Sequence, residues 1–173
     1  MDIVDYPFIK IGQAPSRPTL FVRFMSPKGF QDLPALIDTG AAQCCLPAGF
    51  AEILGLIPMQ TKVHWLIRAL RWLLRRIGLA RIPPPLPTSG TMKTMRTAGG
   101  KVHAYVHDCG LQVWNTHEYL SNKRVAVHVA PAISVCFLPG LQEALLGVSF
   151  LNEHTLTIDY KDRHFSVRQA SPP

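Results

Sequence analysis

Cysteine is scarce and unpatterned in this chain. The four residues Cys44, Cys45, Cys109 and Cys136 show no Cys-x-x-Cys spacing. That excludes a disulfide framework and points to reduced thiols in a cytoplasmic protein. Long apolar runs are missing as well: no stretch reaches the roughly 20 uncharged apolar residues that a membrane span needs. The opening MDIVDYPFIKIG has early acids and no long apolar core, so it does not read as a signal peptide. No internal repeat is present, and only IPPPLPTSG is of low complexity. Acids are absent from 62 to 82, and this absence locates the charge. That segment holds Lys62, Arg68, Arg71, Arg75, Arg76 and Arg81, six of the 18 Lys and Arg; the remaining 12 face 11 acids, so the net charge falls from +7 to +1 without it. The basicity belongs to one segment.

What is there suits many short strands. The 173 residues are enough for one domain with a real core, and 15 prolines and 12 glycines punctuate them throughout. Strand-like runs are PTLFVRF (18–24), LPALI (33–37), QCCLP (43–47) and RVAVHVA (124–130), with MSPKGFQD a turn region between the first two. FAEILGL (50–56) reads as a short helix closed by Gly55. Two alternating runs flank Gly99-Gly100, a hairpin signal. EALLGVSFLNEH reads as a strand end turning at Gly147 into a short helix, and TLTIDYKDRHFSV as a hairpin turning at Lys161-Asp162. The segment 62–90 stands apart. Its first part has a helical period, with Val63, Leu66, Ile67, Leu70, Leu73, Leu74 and Ile77 in one arc about 120° wide. His64, Arg68, Arg71 and Arg75 form a second arc, and Trp65 and Trp72 lie nearly opposite the apolar centre. The Pro-rich linker then ends the helix. Two readings stay open: the helix packs on the barrel or a sister subunit, or Arg68, Arg71 and Arg75 meet an anionic membrane surface or an acidic protein. No DNA- or RNA-binding motif accompanies it.

One carboxylate is oddly placed. In Ala35-Leu36-Ile37-Asp38-Thr39-Gly40, an apolar run heading for the core ends on an Asp before a turn. A buried carboxylate is costly unless it is hydrogen-bonded or paired, and an Asx-type turn is the plain explanation. Three features nevertheless line up in chain order: LIDTGA at 36–41, the glycine-tipped RTAGGKV at 96–102, and ALLGVSFL at 144–151. Together they resemble the retropepsin-like aspartic proteases, over about Pro18 to Val167 apart from the insertion. The resemblance implies a closed all-β barrel of short strands, a flap hairpin and one short C-terminal helix, in a single domain (1–173) interrupted by 62–90. It implies that Asp38 is the catalytic acid/base, that Thr39 ties two loops together and that Gly40 gives the turn. Thr97, Ala98, Gly99, Gly100 and Val102 belong to the flap and substrate contact, while Leu145, Leu146 and Gly147 brace the Asp38 loop. The flap has no aromatic near its tip, which leaves Val102 and Thr97 nearest to packing on substrate.

The chemistry requires a pair. Peptide hydrolysis by activated water needs one group to take a proton and another to give one. Two carboxylates in contact do both, because they share one proton. The chain has one Asp-Thr-Gly, and neither Asp108 nor Asp159 is followed by the same residues. The second carboxylate is thus expected from a second copy, in a homodimer cleaving peptide or protein substrates without metal or cofactor. The rival is a peptide-binding or scaffold domain that keeps this fold without activity; the intact Asp-Thr-Gly argues against it. His103, His107 and Cys109 share a strand face, but residues four apart lie about 13 Å apart, too far to share an ion.

Overall fold

A computed structural model describes residues 2–56, 90–97, 100–152 and 154–169. The insertion expected at 62–90, Gly90 excepted, and Ala98 and Gly99 of the hairpin lie outside the described residues.

Strand β2 (Thr19–Ser26) shows how the core is made. Its alternate residues Leu20, Val22 and Phe24 are fully buried, as a period of two requires of a strand with one face inward. Strand β3 (Gly29–Ile37) returns antiparallel, pairing Ser26 with Gly29. The connection is therefore the two residues Pro27 and Lys28, tighter than the eight-residue turn region expected from sequence. Strand β4 (Cys44–Pro47) leads into helix α1 (Phe50–Ile53). Gly29 allows the hairpin to meet that helix: a Cβ there would lie 2.5 Å from the Ile53 carbonyl.

After the insertion, β5 (Thr91–Thr97) and β6 (Gly100–Trp114) form a hairpin. Helix α2 (Thr116–Leu120) and strand β7 (Ala126–Leu138) follow. Strand β8 (Ala144–Leu146), helix α3 (Val148–Leu151) and strands β9 (His154–Asp159) and β10 (His164–Gln169) complete the order. The main sheet runs β2-β3-β8-β4-β7-β6-β5, and β2 also pairs with β6 through Val22↔Val113 and Phe24↔Leu111. Six strands thus close into a barrel, and β5 hangs outside the ring on β6. The all-β closed barrel expected from sequence is the fold observed.

A second sheet, β1-β10-β9, adds Tyr6, Phe165 and Val167 to the same core, where β1 is Asp2–Pro7. Strand β1 escapes a reading of alternation because its register shifts between Ile3 and Tyr6, with Asp5 at φ +59°. A bulge of this kind breaks the period of two. Helix α2 also went unread, although the sequence carries its signal: Asn115 caps it, its side chain accepting from the Glu118 N–H at 3.1 Å.

Outside the barrel, Arg23 and Asp32 face each other across β2 and β3. The guanidinium makes two hydrogen bonds to the carboxylate, at 2.6 and 2.8 Å. It also lies 4.2 Å from the Phe30 ring centroid and 5.0 Å from that of Trp114. These hydrogen bonds hold the Asp32 carboxyl below its ordinary range, against the opposing effect of burial. A lowered folded-state pKa stabilises the fold above the unfolded Asp value of about 3.9, and the contribution disappears as pH falls through the folded value. Asp32→Asn is expected to cost about 1–2 kcal/mol at pH 7. In urea melts the gap to wild type should close below about pH 4; a gap unchanged down to pH 2 would show that the pair contributes no charge-dependent stability.

Candidate active site

The apolar run of β3 ends at Ile37, which is 5% exposed, and the next residue is already at the surface of the barrel. Asp38 is half-buried and Thr39 and Gly40 are exposed. The backbone around them is tightly held. Residues Ala35 to Ile37 pair in parallel with Ala144 to Leu146, and the Asp38 N–H donates to the Leu146 carbonyl at 3.0 Å. Gly40 N–H donates to Asp38 Oδ1 at 2.9 Å and Ala41 N–H to the Asp38 carbonyl at 3.2 Å. This is an Asx turn, so the plain explanation of the sequence describes the local geometry. It does not use up the carboxylate: among the described residues Gly40 supplies its one hydrogen bond. Oδ2 accepts no hydrogen bond from the described residues.

The loop after Asp38 is propped from β8 and α3. Val148 N–H donates to the Ala41 carbonyl at 2.8 Å and Ser149 N–H to the Ala42 carbonyl at 3.1 Å. Ser149 Oγ in turn accepts from the Cys44 N–H at 3.1 Å. Gly147 sits buried at the junction. A Cβ on it would lie 2.5 Å from the Ala41 carbonyl oxygen and closer still to that of Gln43. Its φ is −88°, so no left-handed backbone is involved. Glycine is there for space. Leu146 is fully buried in the barrel core, while Leu145 points outward and is half-buried.

Leu145 belongs to a second apolar cluster on the outside of the barrel. Cys45, Ala104, Val106, Cys136 and Leu138 are its buried members, with Met95, Val102, Leu141 and Leu145 packed against them. This cluster extends from the strand beside the Asp38 loop to the β5–β6 hairpin. Val102 packs into it. Thr97 does not: it is exposed and its hydroxyl donates to the Gly100 carbonyl at 3.0 Å. Thr97 pairs with Gly100, which has φ +110°, so two positions connect the strands. Sequence reasoning missed Met95, which packs beside Val102, its partner in the register. It also missed Gln43, whose Oε1 accepts from the Cys136 thiol at 2.8 Å and whose carbonyl accepts from the Cys45 thiol at 3.3 Å. A turn at Gly99-Gly100, as expected from sequence, would set Thr97 opposite Val102; the observed register pairs Thr97 with Gly100 and sets Met95 opposite Val102 instead.

Cys44 and Cys45 face opposite sides of β4, one into the core and one into the outer cluster. The two other aspartates have local duties. Asp108 accepts from the Ser134 hydroxyl across β6 and β7 at 2.9 Å. Asp159 caps the β9–β10 turn, accepting from the Lys161 and Asp162 N–H groups. Among the described residues no group of three or more His, Cys, Asp or Glu is placed to hold a metal ion.

Neither a protein-family model nor a curated protein matches the chain. A solved structure does: a retropepsin-like aspartic protease from Rickettsia conorii, 17% identical, with a TM-score of 0.50 over 98% of this chain and 92% of that one. The fold is retropepsin-like. At that identity the likeness concerns architecture, and the chemistry must be argued from Asp38 and its surroundings. In this retropepsin-like barrel the Asp-Thr-Gly turn, the Gly147 prop and the hairpin are joined by hydrogen bonds and one apolar cluster.

Proposed function

We propose that the protein is an aspartic endopeptidase working as a homodimer. Asp38 of each subunit meets its counterpart across a two-fold axis; one carboxylate takes a proton from water while the other protonates the scissile carbonyl oxygen. A single observation carries this reading. The Asp38 carboxylate is half-buried on a loop held by backbone hydrogen bonds to β8 and α3, and among the described residues one hydrogen bond, from the Gly40 N–H to Oδ1, meets it. Asp108 and Asp159 also use Oδ1 alone, but they are exposed on a strand and a turn, whereas Asp38 is half-buried on a loop propped from β8 and α3. Thr39 and Gly40, exposed beside it, are then interface residues. The outer cluster under the hairpin supplies an apolar wall for substrate side chains, with Val102 and Met95 on the hairpin side. The segment 62–90 is read as an insertion between α1 and β5, which leaves the barrel strands on either side of it. Its Arg68, Arg71 and Arg75 fit it for an anionic partner, a membrane surface or an acidic protein.

The experiment follows from the stoichiometry. Peptidase activity on a mixed peptide library, measured against protein concentration, should fall on dilution with a second-order signature, and sedimentation should show a two-fold dimer in the active range. A monomer with full specific activity rules the reading out, since one chain supplies one Asp-Thr-Gly.

A further inference from the structure

Cys45 and Cys136 stand opposite each other on the parallel strands β4 and β7. Neighbouring strands lie about 4.8 Å apart, within the roughly 4.4–6.8 Å Cα separation that a disulfide spans. Both side chains belong to the outer cluster and are 3% and 0% exposed. Both thiols are also anchored on one residue, Gln43, through its Oε1 and its carbonyl. The other two cysteines are elsewhere: Cys44 and Cys109 point into the barrel core, and Ser149 Oγ lies 3.6 Å from the Cys44 sulfur. All four thiols are free.

We propose that Cys45 and Cys136 are a reversible disulfide site, closed by a small peroxide and reopened by thiol reductants. The Cys136 sulfur attacks one oxygen of hydrogen peroxide. The O–O bond breaks, the leaving oxygen departs as water with the thiol proton, and Cys136 becomes a sulfenic acid. The Cys45 sulfur then displaces that hydroxyl, which leaves as a second water with the Cys45 proton. One S–S bond forms, two thiols are oxidised and one peroxide is reduced. The step is written from Cys136, and the bridge formed is the same from either sulfur. Contact with the Cys45 sulfur draws Cys136 below the ordinary cysteine range and pushes Cys45 above it, with burial adding to the rise at Cys45. The oxidant has to be small, because both cysteines are buried within the cluster that Met95 and Val102 of the hairpin help to cover.

The bridge removes both S–H donors that hold Gln43, and the Gln43 carbonyl is one of two that crowd Gly147. Oxidation therefore reaches the loop that positions Asp38. That coupling rests on the peptidase reading; the bridge itself does not.

The test is made on the full chain treated with hydrogen peroxide. Thiols alkylatable after denaturation should fall from the four of the sequence to half that number. Peptide mapping should place a single bridge between Cys45 and Cys136, and dithiothreitol should restore the thiols. Asp38→Asn protein should form the same bridge, so failure of the peptidase reading leaves this result standing. Cys136→Ser and, separately, Cys45→Ser should form none. A full complement of thiols after peroxide, or a bridge through Cys44 or Cys109, overturns the proposal. A wild-type bridge that leaves the peptidase rate unchanged overturns the coupling to Asp38.

Discussion

Asp38→Asn is expected to lower peptide hydrolysis by about 10³-fold or more while leaving fold and dimer unchanged. The size of the loss comes from the role proposed for the carboxylate: Asn has the same shape but cannot pass a proton at neutral pH. The retained structure comes from the Asx turn. Asn Oδ1 can still accept from the Gly40 N–H, now at 2.9 Å from Asp38 Oδ1, and the Asp38 backbone bonds to Leu146 and Ala41 do not involve the side chain. The variant should therefore melt within about 1 kcal/mol of wild type and sediment identically. Hydrolysis near the wild-type rate would place the chemistry elsewhere. An unfolded variant would instead show that the charge itself holds the loop.

Gly147→Ala is expected to be the most damaging single methyl in the described structure, costing about 3–5 kcal/mol. Its Cβ would meet the carbonyls of Ala41 and Gln43, backbone atoms fixed by α3 and β4, so no side chain can swing aside. A loss of that size lowers the melting temperature by roughly 10 °C in a chain of this length, and activity should suffer at temperatures where the fold persists, because the displaced loop carries Asp38. Gly49→Ala is the control. Nothing lies within 4 Å of a Cβ at that position and its φ is −62°, so it should melt within about 0.5 kcal/mol of wild type. Equal effects at both positions would mean that Gly147 is not crowded.

The parts legible in the sequence were those governed by a local pattern. Alternation reveals β2 through Leu20, Val22 and Phe24, and the same rule separates Cys44 from Cys45. Asp-Thr-Gly is legible as a turn from its own residues, while the grouping of Asp-Thr-Gly, Gly99-Gly100 and Leu-Leu-Gly came from the family resemblance. What stayed hidden depends on distant partners. Strand β1 exists because β10 pairs with it from the far end of the chain, and its bulge conceals it. The depth of Asp38 was also misjudged: an apolar run aimed at the core suggested burial, whereas the chain turns outward after Ile37. Gln43 carries no motif, and its place between two thiols arises only when β7 is laid beside β4.

The 15-residue strand β6 belongs to two bodies at once. Its first residues form the hairpin with β5, while Gly110 to Val113 pair with β2 and close the barrel. Such a hairpin is a beam clamped at one end, with no separate hinge segment at its root. Tyr105 to Cys109 already pair with β7, so the free part of the hairpin lies ahead of Tyr105. Deeper in the wall, at Gly110, β7 carries an extra residue, since Cys109 pairs with Ile133 but Leu111 with Ala130. Pro131 lies in that offset and brings no N–H to the ladder. Any lifting of the hairpin bends β6 just ahead of Tyr105, where it leaves β7 at the barrel rim. A side chain wedged there would stiffen the beam from a position remote from its tip.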